Sequence, residues 1–439
     1  MNIRYVIMTV KKNNSKFDWK KFCLNLGFIA CFAISFTILD KLFFDETQGS
    51  TVWEDVQNED GPEVLFRGNS HAHCSFIPDI LDSALGIDTA VLTSSAQPMY
   101  VTVENLKTVL NYYVPKLIIL ESNAIHADNR EAMQGKSKAA TMKNIDGIYA
   151  GTDKLRTAVQ TLKFEDIPLA FTQMCRKDLM YSRWYRIGKG MHENYYQRQD
   201  IQGYQIRNTC FGGVEKILDV QNFYIPTDGE QLIAEARIRE PLNEKALHEF
   251  LQLAEKNGIE VWIVKAPTLT KYENLISTMV RIREIAYEYS AVTHIMDLHG
   301  SMMDMGLTPS DFYDREHLNR RGAAKCTVWF GDVLGEWLGV MPNYEKVFFY
   351  KNENIEKVGD NLFQYTMEAF GDTQFRFEQK IDGKYVCIAD WSEHNDVVIE
   401  LSPENADQLR VTMLPAGVSA DNAATQGLTL NFMVPNASK

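Results

Sequence analysis

Along this chain, short and mainly apolar runs alternate with longer segments of helical period. The runs at 63–66, 90–92, 116–120, 260–264 and 293–296 are too short for helices, and most lack period-two alternation. Strands buried on both faces have this pattern. Between the runs, helical periodicity marks 78–86, 103–113, 244–257, 272–289 and 322–338. Pro78 suits a first helical turn, and Gly86 and Gly258 suit positions just past a helix end. Strands separated by helices predict a three-layer α/β/α fold, with a parallel sheet covered on both faces and right-handed crossovers.

The period changes near the carboxyl end. Beyond Pro342, apolar-alternating stretches at 375–381 and 384–388 flank Asp382-Gly383, a hairpin signal, and further strands are expected at 397–401, 409–414 and 428–434. Residues 341–439 therefore read as a small, mainly β module.

The amino end has a different character. Lys11, Lys12, Lys16, Lys20 and Lys21 precede an apolar stretch over 22–39, closed by Asp40 and Lys41. As a helix this stretch spans roughly 27 Å, enough for a hydrocarbon core. Lysines before it and few basic residues just after it predict a cytoplasmic tail over 1–21 and an outward-facing body. No small-x-small cleavage site is evident, so 22–44 reads as an uncleaved, single-pass signal anchor. The acidic, polar stretch 45–60 reads as a linker, and 61–340 as the α/β domain.

That domain holds an insertion over about 124–241, too long for a simple crossover. It carries Arg183, Trp184, Tyr185 and Arg186, and later Tyr195, Tyr196 and Arg198. Aromatics beside arginines can stack on sugars and hold anionic groups; more often such residues pack a lid onto the body.

The chain's 439 residues, 45% of them hydrophobic, suffice for one large core and a smaller second one. A net charge of −13 argues against a general nucleic-acid binder. Five cysteines lie beyond the anchor with no C-x-x-C pair, so no disulfide framework is indicated.

The candidate chemistry centres on Arg67-Gly68-Asn69-Ser70-His71-Ala72-His73, where an apolar strand stops at a small-residue turn. Ser70 falls between a strand's carboxyl end and a helix's amino end, the junction at which open α/β sheets place reactive groups. A serine there can be a nucleophile if a histidine base reaches it. Asp314-Arg315-Glu316-His317 supplies one before the closing helix, with the carboxylate spaced to orient the imidazole. Asn123 follows the third strand, where its side chain would point an N–H donor into the same crevice. With the Ser70 backbone N–H and one from the Thr93-Ser94-Ser95-Ala96 turn, it would form an oxyanion hole.

On these blocks, taken in order over 61–340, the chain resembles the SGNH (GDSL-like) hydrolase superfamily. Gly68-Asn69-Ser70 matches the nucleophile block, with Asn69 where aspartate is usual. Glu121-Ser122-Asn123-Ala124 falls at the G-x-N-D block but keeps only the asparagine. Asp314 to His317 matches D-x-x-H. The second block's glycine is missing, and Ser95 stands in through its backbone N–H. The resemblance implies a flavodoxin-like sheet, a Ser70, Asp314 and His317 triad, and an oxyanion hole from Ser70, Ser95 and Asn123, with no cofactor. Anchor and insertion together are similar to the membrane-anchored bacterial proteins that O-acetylate alginate and other polysaccharides. That similarity implies a cell-surface polysaccharide or other acylated glycan as substrate, acetyl as the acyl group, and a membrane-bound O-acyltransferase as partner.

Two other readings compete. His71, His73, Asp297, His299, Asp314 and His317 include H-x-H and D-x-H spacings that suit a metal hydrolase. An envelope protein could also keep this fold and bind glycan without catalysis.

Overall fold

The computed structural model describes residues 19–42, 50–57, 61–126, 142, 144–172, 200–201, 204–205, 238, 241–269, 273–400, 409–423 and 427–432. Trp19–Leu42 (α1) is one unbroken helix with exposed Leu24, Phe28, Ile29, Phe32 and Ile34. Its Trp19–Leu39 stretch has the length and apolarity of a membrane-crossing helix, whether signal anchor or signal sequence.

The body begins with α2 (Ser50–Val56), followed by β1 (Val64–Arg67), α3 (Ser70–His73), α4 (Pro78–Leu85), β2 (Thr89–Val91), α5 (Met99–Val109), β3 (Leu117–Glu121) and α6 (Asn123–His126). Next come α7 (Thr152–Thr161) and a short hairpin of β4 (Asp200–Ile201) and β5 (Tyr204–Gln205). Then follow α8 (Pro241–Lys256), β6 (Glu260–Lys265), α9 (Glu273–Ala286), β7 (Val292–Asp297) and α10 (Arg320–Leu338). The five main strands form one sheet in the order β2-β1-β3-β6-β7, with every pair parallel. From β1 the chain moves outward to β2, then returns past β1 to β3. Strand order therefore reverses between β1 and β3, the point at which such sheets open a crevice at their carboxyl ends.

The continuous apolar strands serve two cores. Val64, Phe66, Val91, Leu117, Ile119, Trp262 and Val264 face one side, against α4 and α10. Leu65, Ala90, Leu92, Ile118, Leu120, Val261 and Ile263 face the other, against α2, α5, α8 and α9. Side chains alternate faces, so burial on both sides removes the polar half of the usual strand pattern.

Two departures from expectation bear on the packing. α5 starts at Met99 rather than 103, because Pro98 is extended at its N-cap and Met99 and Val101 are buried. The acidic stretch read as a linker carries α2, whose Trp53 is fully buried and donates Nε1–H to the Asn144 carbonyl at 3.0 Å.

Beyond α10 lie β8 (Phe349–Lys357), β9 (Leu362–Phe370), β10 (Thr373–Ile381), β11 (Lys384–Ser392), β12 (Asp396–Glu400), β13 (Leu409–Pro415) and β14 (Leu428–Phe432). They form two antiparallel sheets, β11-β10-β13-β14 and β12-β9-β8. Tyr365 and Phe432 join the sheets edge to face, with ring centroids 5.3 Å apart. The expected hairpin joins β10 to β11, and Asp382 and Gly383 both take positive φ (48° and 79°), as a tight two-residue turn requires. The core beneath these sheets is continuous with the one under α10.

Candidate active site

Ser70 opens α3 directly after β1. Asn69 caps that turn, its side-chain oxygen accepting the His71 N–H at 3.1 Å. A carbonyl oxygen accepts this bond as well as a carboxylate would, so the asparagine at this position keeps the cap. Gly68 has φ 143°, and a Cβ there would lie 2.9 Å from the Glu121 Cβ. Only glycine lets the Ser70 turn lie this close to the end of β3.

His317, the expected base, lies in the loop before α10. His317 Nε2 lies 2.8 Å from Ser70 Oγ, and its Nδ1 lies 2.9 and 3.0 Å from the two Asp314 carboxylate oxygens. With Nδ1–H donating to Asp314, the Nε2 lone pair faces the serine hydroxyl. Asp314 Oδ1 also accepts the backbone N–H groups of Glu316 (2.8 Å) and His317 (2.9 Å). Burial opposes ionisation of Asp314, but these bonds outweigh it and hold the carboxyl below its ordinary range. The loop itself is pinned. Tyr313 N–H donates to the His317 carbonyl, and Asn319 N–H to that of Asp311. Asp311, buried, lies 3.1 Å from both Arg321 and Lys325. Arg321 also pairs with Glu353 of β8 and lies 4.2 Å over the Phe432 ring.

Asn123 begins α6 at the carboxyl end of β3 and is half-buried. Ser95 occupies the turn after β2, tightened by Ala96 at φ 55° and by the Gln97 side chain, which accepts the Ser94 N–H at 2.9 Å. Since β2 and β3 flank β1, the Ser70, Ser95 and Asn123 segments all leave the same edge of the sheet on adjacent strands. Arg183, Trp184, Tyr185 and Arg186 lie outside the described residues.

Several supporting contacts were not anticipated. Glu121, fully buried, accepts the Asn123 N–H at 2.9 Å and the Ala266 N–H at 3.3 Å, and faces Lys265 Nζ at 3.8 Å. Burial raises its pKa, with Lys265 acting against the rise. The signal was present: two apolar strands that prove to be neighbours each end in a lone charge, of opposite sign. Arg67 is wholly buried and donates to the Leu92 and Thr102 carbonyls, tying the end of β1 to the turn after β2. Burial brings its pKa down to about 9. His73 is buried, with Nδ1 2.9 Å from Thr93 Oγ1. His71 is buried and faces Glu316. Among the described residues, no group of three or more His, Cys, Asp or Glu side chains is arranged to hold a metal ion.

No protein-family model matches the chain, and no curated protein matches it either. Among solved structures it is distantly similar to a gut microbial diltiazem-metabolizing enzyme, at 11% identity and a TM-score of 0.27. The match covers 70% of this chain and 57% of the other. A likeness that remote carries no argument about activity.

Proposed function

We propose that the chain is a serine esterase or O-acyltransferase of the SGNH type. It would act outside the membrane to which α1 anchors it, and transfer or remove acetyl groups on a cell-surface polysaccharide. The observation that carries this reading is the unbroken hydrogen-bonded chain from Ser70 through His317 to Asp314 at the sheet's switch point.

In this mechanism His317 takes the Ser70 proton as Oγ attacks the ester carbonyl, and Asp314 stabilises the imidazolium that forms. Charge on the tetrahedral oxygen rests on the backbone N–H groups of Ser70 and Ser95 and on the Asn123 side chain. His317 then returns the proton to the leaving alkoxide, giving acyl-Ser70 and a free alcohol. In the second half, His317 deprotonates either water or a sugar hydroxyl, which attacks the acyl-enzyme and frees Ser70. The sugar acceptor suits a protein working beside a membrane-bound O-acyltransferase.

The test is a fluorophosphonate probe on the detergent-solubilised chain, followed by peptide mapping. Modification at Ser70, lost in Ser70→Ala along with hydrolysis of a small acetyl ester, is the expected result. A native chain that the probe leaves unmodified would refute the reading.

A further inference from the structure

Two successive residues of the nucleophile turn face two successive residues of the base loop. Ser70 Oγ meets His317 Nε2 at 2.8 Å, and His71 Nε2 meets Glu316 Oε2 at 3.4 Å. The two imidazole rings lie 5.0 Å apart. His71 is 3% exposed and Glu316 49%, so the second contact runs from the interior to the rim. On its other side the loop is held by the Leu269 N–H, which donates to the Arg315 carbonyl at 2.7 Å. Of these two contacts, the serine–histidine bond is remade in every half-reaction. The other takes no part in proton transfer.

We propose that the His71–Glu316 contact is a positioning clasp, which keeps the base loop in register with the nucleophile turn while the Ser70–His317 bond breaks and re-forms. This inference rests on the serine-hydrolase reading above. A shift of about 1 Å in such an alignment can cost roughly a hundredfold in rate, so a contact that fixes register acts on kcat. Burial also keeps His71 neutral, its pKa pushed down to about 3. A neutral imidazole can donate Nε2–H to Glu316 without setting a second cation beside His317 as it takes the serine proton. His71 is a positioning residue in this account, acting through Glu316 and the loop.

The clasp is tested by four variants of the full chain in detergent: His71→Phe, Glu316→Ala, their combination, and Glu316→Gln. Each is assayed for kcat and KM on a small acetyl ester, for fluorophosphonate modification, and for thermal unfolding. Expected is a fall in kcat of about tenfold or more in either single variant at unchanged KM, with no further loss in the double. Glu316→Gln, which keeps an acceptor for His71, should retain most of the native rate. Should His71→Phe fail to fold, the half-exposed Glu316 variants still decide the matter. Modification at Ser70 together with native kcat in Glu316→Ala would overturn the clasp alone. A native chain left unmodified by the probe would overturn the parent reading, and the clasp with it.

Discussion

Glu121 and Lys265 end neighbouring parallel strands with opposite charges, 3.8 Å apart and both buried. The pair sits under the Asn123 turn, since the Glu121 carboxylate also holds the Asn123 N–H. Breaking such a pair from one side leaves a charge with neither water nor counter-ion. Lys265→Met is therefore expected to destabilise the fold by roughly 3–5 kcal/mol. Glu121→Gln combined with Lys265→Met should recover much of that loss. Denaturant unfolding of the three variants checks this; a double variant as unstable as Lys265→Met alone would show that the two charges do not depend on each other. The single variant's deficit should shrink as pH falls, because burial already raises the Glu121 pKa and protonation removes its orphaned charge.

Asn123→Ala removes only the side-chain donor and leaves the backbone bond to Glu121 in place. Loss of one oxyanion donor is expected to lower kcat by about 10²–10³ with little change in KM. Steady-state kinetics on a small acetyl ester provides the measurement. A native kcat would take Asn123 out of that role without touching Ser70 or His317.

Burial depresses His71 from its usual 6.5 to about 3. As pH falls, the unfolded chain takes up this proton before the folded chain does. The associated stability is fully present above about pH 6.5 and is lost as pH falls towards about 3. The stability gap between the native chain and His71→Phe should therefore narrow across that window. Denaturant unfolding at a series of pH values follows it. A gap independent of pH would mean that His71 takes up protons as readily in the folded state.

Much of this architecture is legible in the sequence for a definite reason. β1, β3 and β6 are buried on both faces, so burial writes a continuous apolar run that needs no tertiary information to recognise. The Ser70 turn and the Asp314–His317 loop follow from turn chemistry and local spacing. β8 is harder to see: beyond Phe349 and Tyr350 it is largely exposed, so Lys351 to Lys357 carry no alternation. β9 does alternate, with Phe363, Tyr365 and Met367 buried, and that period was available. Glu121–Lys265 and His71–Glu316 are contacts between distant segments: the charges that end β3 and β6 show in the sequence, but the adjacency of those strands does not. Trp53 illustrates the converse, since a single aromatic in an acidic stretch gives no warning of the pocket it fills.

The continuous core under α10 and the Asp311–Arg321–Glu353 contacts have a consequence in time. Synthesis runs from the amino end, so Arg321 and Lys325 leave the ribosome before Glu353 and Phe432 exist. During that interval Asp311 faces both cations without Glu353, and the core that α10 shares with the parallel sheet is not yet extended by β8 to β14. The contacts that tie α10 to the carboxyl-terminal strands therefore form only after β8 and β14 have emerged.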